Sequence, residues 1–257
     1  MKKPYKGVLV LVLSVFLGAC ATQPVPEGED LHRASELNAE LGVAYMERGN
    51  NEWAMQKLKK ALQEDPDNGA AHHYIAELYR RLGETDKAED HFNRALDLLP
   101  HDMSLVNNYG VFLCDEKRFN DAQKYFLKVL DDPLNTSPAE TYENLGICAQ
   151  RAGDLVDAEK YLRQALRLDK ARPKSLFSMA QIMTVNKHYL KARGFLERYL
   201  AIAKEQNAPS LWLGIQIERQ LGNRDAVASY SLLLKGKYPD APETQQLRKL
   251  EARQGQP

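Results

Sequence analysis

Apolar residues in this chain fall into short helical stripes that come in pairs, and the pairs recur. Between Gly69 and Asp102, Ile75, Ala76 and Tyr79 stand at helical spacing and Gly83 interrupts them; Ala88, Phe92 and Ala95 resume at i, i+4 and i+7, and Pro100 closes the unit. The pattern predicts helix, tight turn, helix, stop, because apolar residues at helical period mark a buried face while Gly and Pro punctuate it. Shifted 34 residues toward the N-terminus, the same places hold Leu41, Gly42, Tyr45, Gly49, Ala54, Leu58, Ala61 and Pro66. Shifted the other way they hold Tyr109, Gly110, Leu113, Ala122, Phe126 and Val129. Copies therefore start at Ser35, Gly69 and Met103. The segment 131–138 is two residues longer than the frame allows, and the frame then resumes at Ala139, Pro173 and Asn207. One hairpin of this size buries too little apolar surface to stand alone, so each copy needs neighbours.

This period and its small-residue, aromatic and proline positions resemble the tetratricopeptide repeat (TPR). The resemblance implies an all-α fold: a right-handed superhelical solenoid of six helix-turn-helix repeats plus a C-terminal capping helix. Gly42, Gly110, Gly146 and Gly214 in first helices, and Ala54, Ala88, Ala122, Ala158, Ala192 and Ala226 in second helices, let the two helices of a pair cross closely. Tyr45, Tyr79, Phe92, Phe126 and Tyr230 fill the space between repeats. Lys117 and Lys187 stand where other copies turn on glycine, and Gly222 comes one residue late, so the sixth turn is expected to be rearranged. Residues 35–138 then hold repeats 1–3, residues 139–240 repeats 4–6, and residues 241–257 a capping helix, with Leu247 and Leu250 inward, and a tail.

The N-terminus reads differently. Lys2, Lys3 and Lys6 precede an apolar run, Val8 to Leu17, that is too short to span a bilayer comfortably. It ends in Leu17-Gly18-Ala19-Cys20, which resembles a bacterial lipobox. That resemblance implies cleavage of residues 1–19, acylation of Cys20 and, with Ala21 rather than aspartate following, an outer-membrane destination facing the periplasm. Several acyl chains on one cysteine anchor far more firmly than one. Residues 20–34, with Pro24 and Pro26, are expected to be a polar tether.

Composition narrows the function. The 257 residues carry 35 basic and 35 acidic side chains, and removal of residues 1–19 leaves 32 against 35. No basic block of the density that nucleic acid requires is present. There is no Gly-rich phosphate loop, zinc spacing or nucleophile elbow. His72 and His73 are adjacent and so point about 100° apart on a helix, which does not suit one metal. The sequence thus predicts no catalytic residue, cofactor, metal or small-molecule substrate. Cys114 and Cys148 fall in first helices of adjacent copies but two frame positions apart, and helices stack about 8–10 Å apart, so they are expected to be packed free thiols.

What remains is a binding surface. First helices of TPR stacks line the concave side, and their exposed positions here include Val43, His73, Glu77, Asn107, Val111, Glu143, Ile147, Phe177 and Ile215. Val43, Val111, Ile147 and Ile215 share one frame position, which fits a groove for an extended peptide or an amphipathic helix. The lipobox, short tether and six repeats, together with the stretches Ala34–Tyr45 and Asn107–Cys114, resemble the PilF/PilW family of type IV pilus biogenesis lipoproteins. The resemblance implies a pilotin that binds the pilus secretin and promotes its localisation and multimerisation in the outer membrane. TPR lipoproteins of other envelope machines, for outer-membrane protein insertion or cell-wall synthesis, share this architecture and leave another envelope protein open as the partner.

Overall fold

The computed structural model describes residues 27–203 and 205–254, and all regular structure among them is helical. The six hairpins are α1 (Glu27–Glu47) with α2 (Asn51–Glu64), α3 (Gly69–Leu82) with α4 (Thr85–Leu98), α5 (Met103–Asp115) with α6 (Phe119–Asp131), α7 (Pro138–Ala152) with α8 (Leu155–Leu168), α9 (Pro173–Val185) with α10 (Tyr189–Ile202), and α11 (Ala208–Gln220) with α12 (Arg224–Lys237). A single helix, α13 (Pro242–Gln254), closes the stack.

Each hairpin turns on one left-handed residue. Gly49, Gly83, Lys117, Gly153, Lys187 and Gly222 have φ between 60° and 86°. The two lysines adopt the same backbone as the glycines despite the steric penalty on a Cβ there. Polar side chains start many of the helices: Asn68, Asp102, Asp154 and Asn207 accept backbone N–H bonds from the first turns that follow them.

Packing sets the layers. First helices of neighbouring repeats touch (α1 and α3 through to α11 and α13), whereas no two second helices bring their Cα atoms within 8 Å of each other among the described residues. The first helices therefore form the inner layer and the second helices splay on the outer one. Phe92, Phe112, Phe126 and Leu162 are fully buried between the layers. Gly110 is required by that packing: a Cβ there would come within 2.8 Å of the Phe126 ring.

Three sequence expectations change. Residues 27–34, read as tether, form the first two turns of α1; Glu29 and Asp30 sit where the helix dipole favours negative charge. Cys20 and residues 1–19, expected to be a signal segment, lie outside the described residues. Cys114 and Cys148 form a disulfide, with Cα atoms 5.7 Å apart. The distance between axes misled here. Cα atoms sit about 2.3 Å off each axis, so facing residues of packed helices come within bridging range.

The third change is in the sixth repeat. Four residues link α2 to α3, α4 to α5 and α8 to α9, but five link α10 to α11. The extra residue shifts the whole repeat by one, and its turn is regular, at Gly222. Core positions of α12 consequently fall on Ser231 and Leu234, nine and twelve residues after the turn as Phe92 and Ala95 are in the second hairpin, rather than on the frame set by Asn207. Gly214 still admits Tyr230, whose ring would lie 2.9 Å from an added Cβ.

Candidate binding groove

The inner layer is built from two rows, best counted back from the turn residue. Six residues before each turn stand Val43, Glu77, Val111, Ile147, Gln181 and Gln216; ten before it stand Ala39, His73, Asn107, Glu143, Phe177 and Trp212. Val43, Val111 and Ile147 are half-buried and share one face, since they occupy equivalent positions of parallel stacked helices. Phe177 is half-buried against Tyr199, with ring centroids 5.2 Å apart. Ile215 does not join them. It is fully buried with Leu211, Leu234 and Leu247, because the one-residue shift turns it inward and puts exposed Gln216 in its place.

The polar members of the expected groove are occupied within the chain. His73 is 3% exposed, and Asn108 Nδ2 lies 3.0 Å from its Nε2. Burial pushes the His73 pKa down, against smaller upward effects of Glu77 and Asp102. Glu77 accepts from Arg80 at 3.0 and 3.3 Å, Arg80 also donates to Asp115 at 2.6 Å, and Asp115 pairs in turn with Arg151. This ladder ties repeats 2, 3 and 4 together. Asn107 accepts from Asn144 at 3.4 Å.

Glu143 is 5% exposed and triply engaged. It accepts from Arg172 at 2.9 Å and from the backbone N and hydroxyl of Ser175 at 3.0 and 2.6 Å. The N-cap residue of α9, Arg172, makes no side-chain capping bond, so the carboxylate of the preceding repeat supplies the acceptor that this helix start needs. Thus His73, Glu77, Asn107 and Glu143, expected to face a partner, instead join repeat to repeat. Sequence spacing gave their frame position but not their partners.

Two features escaped the sequence reading. His72 does not share a ligand with His73; its Nδ1 meets His91 Nδ1 of α4 at 2.9 Å, and its Nε2 meets the Pro66 carbonyl at 3.0 Å. Among the described residues no group of three His, Cys, Asp or Glu is placed to hold a metal ion. The loop after α6, lengthened by the insertion, walls a cavity of about 380 Å³ with Asn107, Asn108 and Thr141.

A chain of helical hairpins, each turning on one left-handed residue, with a continuous inner layer, defines a TPR solenoid. Tetratricopeptide-repeat family models match residues 45–107 and 102–171. The type IV pilus assembly protein PilF of Pseudomonas aeruginosa is 32% identical over 247 residues, covering 95% of this chain and 98% of that protein. The chain belongs to the PilF/PilW family of type IV pilus biogenesis proteins. The solved structure of Pseudomonas aeruginosa PilF superposes with a TM-score of 0.76 at 31% identity, over 86% of this chain and 99% of that one. The crystal structure of PilW, described as a widely conserved type IV pilus biogenesis factor, superposes with a TM-score of 0.77 at 30% identity, over 83% and 97% of the two chains.

Proposed function

We propose that the protein is an outer-membrane-tethered pilotin: Cys20, acylated, holds it at the membrane, and the inner face of the solenoid takes a segment of the type IV pilus secretin. What supports this reading most is the match to a pilus assembly protein along nearly its whole length. The half-buried row of Val43, Val111 and Ile147 supports the choice of surface. Around it the charges are engaged within the chain, so the apolar row is what remains to meet a partner by side-chain burial. The anchor would act by concentration, since a secretin subunit held by a membrane-bound scaffold is confined to the place where it multimerises.

The test compares secretin multimers in outer-membrane fractions of cells carrying the natural chain, Cys20→Ala, or Val111→Asp with Ile147→Asp. The anchor variant should still capture secretin subunits, with multimers lost from the outer membrane. The groove variant should reach the membrane and lose capture. Normal multimers in the first cells sink the tether, and undiminished capture in the second moves the contact off the inner face.

A further inference from the structure

The outer layer carries a second candidate surface, between α8 and α10. Two adjoining recesses of about 520 and 400 Å³ share Arg163, Phe195 and Arg198. Their walls add Arg167, Lys170 and Lys191, which makes five cations, and no acidic residue lines either recess. Arg163 is held by Glu159 from its own helix, and Arg198 donates to the Lys170 carbonyl and lies 5.7 Å from the Phe195 centroid. Arg167, Lys170 and Lys191 are exposed and form no ion pair among the described residues. The excess is regional: residues 151–200 hold eleven Lys and Arg against five Asp and Glu, whereas residues 27–100 hold nine against sixteen.

The floor has its own chemistry. Leu166, 8% exposed, and half-buried Phe195 give the trough an apolar base beneath the charged walls. Gly194 lies beside Phe195 inside α10, and a Cβ there would meet nothing within 4 Å. Packing within the chain therefore does not require glycine, although glycine inside a helix is destabilising relative to alanine. The open space over it admits close approach of another backbone.

The structure assigns this trough to an acidic polypeptide segment that carries an apolar side chain: carboxylates on the Arg and Lys walls, the apolar group on Leu166 and Phe195, and its backbone over Gly194. A flat anionic bilayer fits less well, because Leu166 is 8% exposed and Phe195 half-buried, so neither projects an apolar side chain to insert among acyl chains. The inference is independent of the secretin reading, since it concerns the opposite layer and needs no anchor.

The test uses a soluble chain from residue 20 onward with Cys20→Ser, which keeps every described residue. Its probe is a short fluorescein-labelled peptide of glutamates with leucine at every fourth position, read by anisotropy beside the same peptide with lysine replacing glutamate. The glutamate peptide should bind and the lysine peptide should not, and binding should weaken with added salt. Arg167→Glu with Lys191→Glu should cut affinity by about tenfold or more, since two attractive contacts become repulsive. Gly194→Leu should also cut it, by filling the floor, without lowering the melting temperature. Equal binding of both peptides, or affinities unchanged in both variants with folding intact, overturns the proposal. So does a chain that ignores the glutamate peptide yet sediments with phosphatidylglycerol vesicles and not with phosphatidylcholine vesicles.

Discussion

Repeats 4 and 5 show two opposite uses of charge. On the inner layer, Glu143 is nearly enclosed and gives its oxygens to Arg172 and Ser175 of the next repeat. On the outer layer of the same two repeats, Arg167, Lys170 and Lys191 face solvent with no acid between them. The difference follows from the geometry of the stack. Inner helices touch their counterparts in the next repeat, so a polar side chain there is buried and must find a partner in the chain. Outer helices splay, so water solvates their charges and nothing in the fold demands pairing. Second helices also pack on the first helix of the next repeat, so both layers hold the rod together, and it is the outward face of the outer layer that is free to vary its charge.

Breaking the inner layer at its covalent link should have the largest effect. The Cys114–Cys148 bridge joins α5 to α7 across a sequence separation of 34 residues. Closing a loop of that length contributes about 4 kcal/mol in the chain-entropy model. Cys114→Ser with Cys148→Ser should lower the melting temperature markedly, and reductant should do the same to the natural chain while leaving the variant unchanged. A reductant-insensitive melting curve for the natural chain would show that the two thiols are not joined.

Removing the buried carboxylate comes next. Glu143→Ala strips Arg172, 19% exposed at its side chain, of its hydrogen-bond acceptor, leaving it only Asp169 at 3.7 Å, and takes the side-chain acceptor from the start of α9. Loss of one member of a buried pair costs about 3 kcal/mol where the other charge is left unpaired, and the remaining Asp169 partner brings the expected loss below that. The measurement is thermal or urea unfolding with hydrogen exchange at the first amides of α9, which should lose protection before the rest of the rod. Uniform protection in the variant would mean that the helix start draws its acceptor from elsewhere.

The two layers were not equally legible in the sequence. The repeat period, the turn positions and the close crossing of Gly110 on Phe126 are local signals, carried by residues whose size or backbone freedom fixes their place. The inner pairs were not, because Glu143 and Ser175 are 32 positions apart and either residue alone reads as an exposed polar position on a helix. Ile215 shows the sensitivity of such a reading to one residue: an added position between α10 and α11 rotates α11 by about 100° and moves a groove residue into the core. The bridge failed for a different reason, since the spacing between axes is not the spacing between facing Cα atoms. The outer trough was hidden because α8 and α10 each look like an ordinary solvated helix, and only their juxtaposition removes the acids from between the cations.

The smallest expected effect is also the sharpest test of the contrast. Arg167→Ala removes an outer-layer charge that makes no ion pair among the described residues, and exposed substitutions of this kind stay within about 0.5 kcal/mol of neutral. Relief of repulsion from Lys170 and Arg163 should move the change toward stabilisation, and more so at low salt, where screening is weakest. The salt dependence of melting therefore carries the information: the natural chain should gain stability on salt addition, and the variant should gain less. Destabilisation beyond that range would mean that the outer cations, like the inner carboxylate, are held by the fold, and the division of labour between the layers would fail at the residue where it is most exposed.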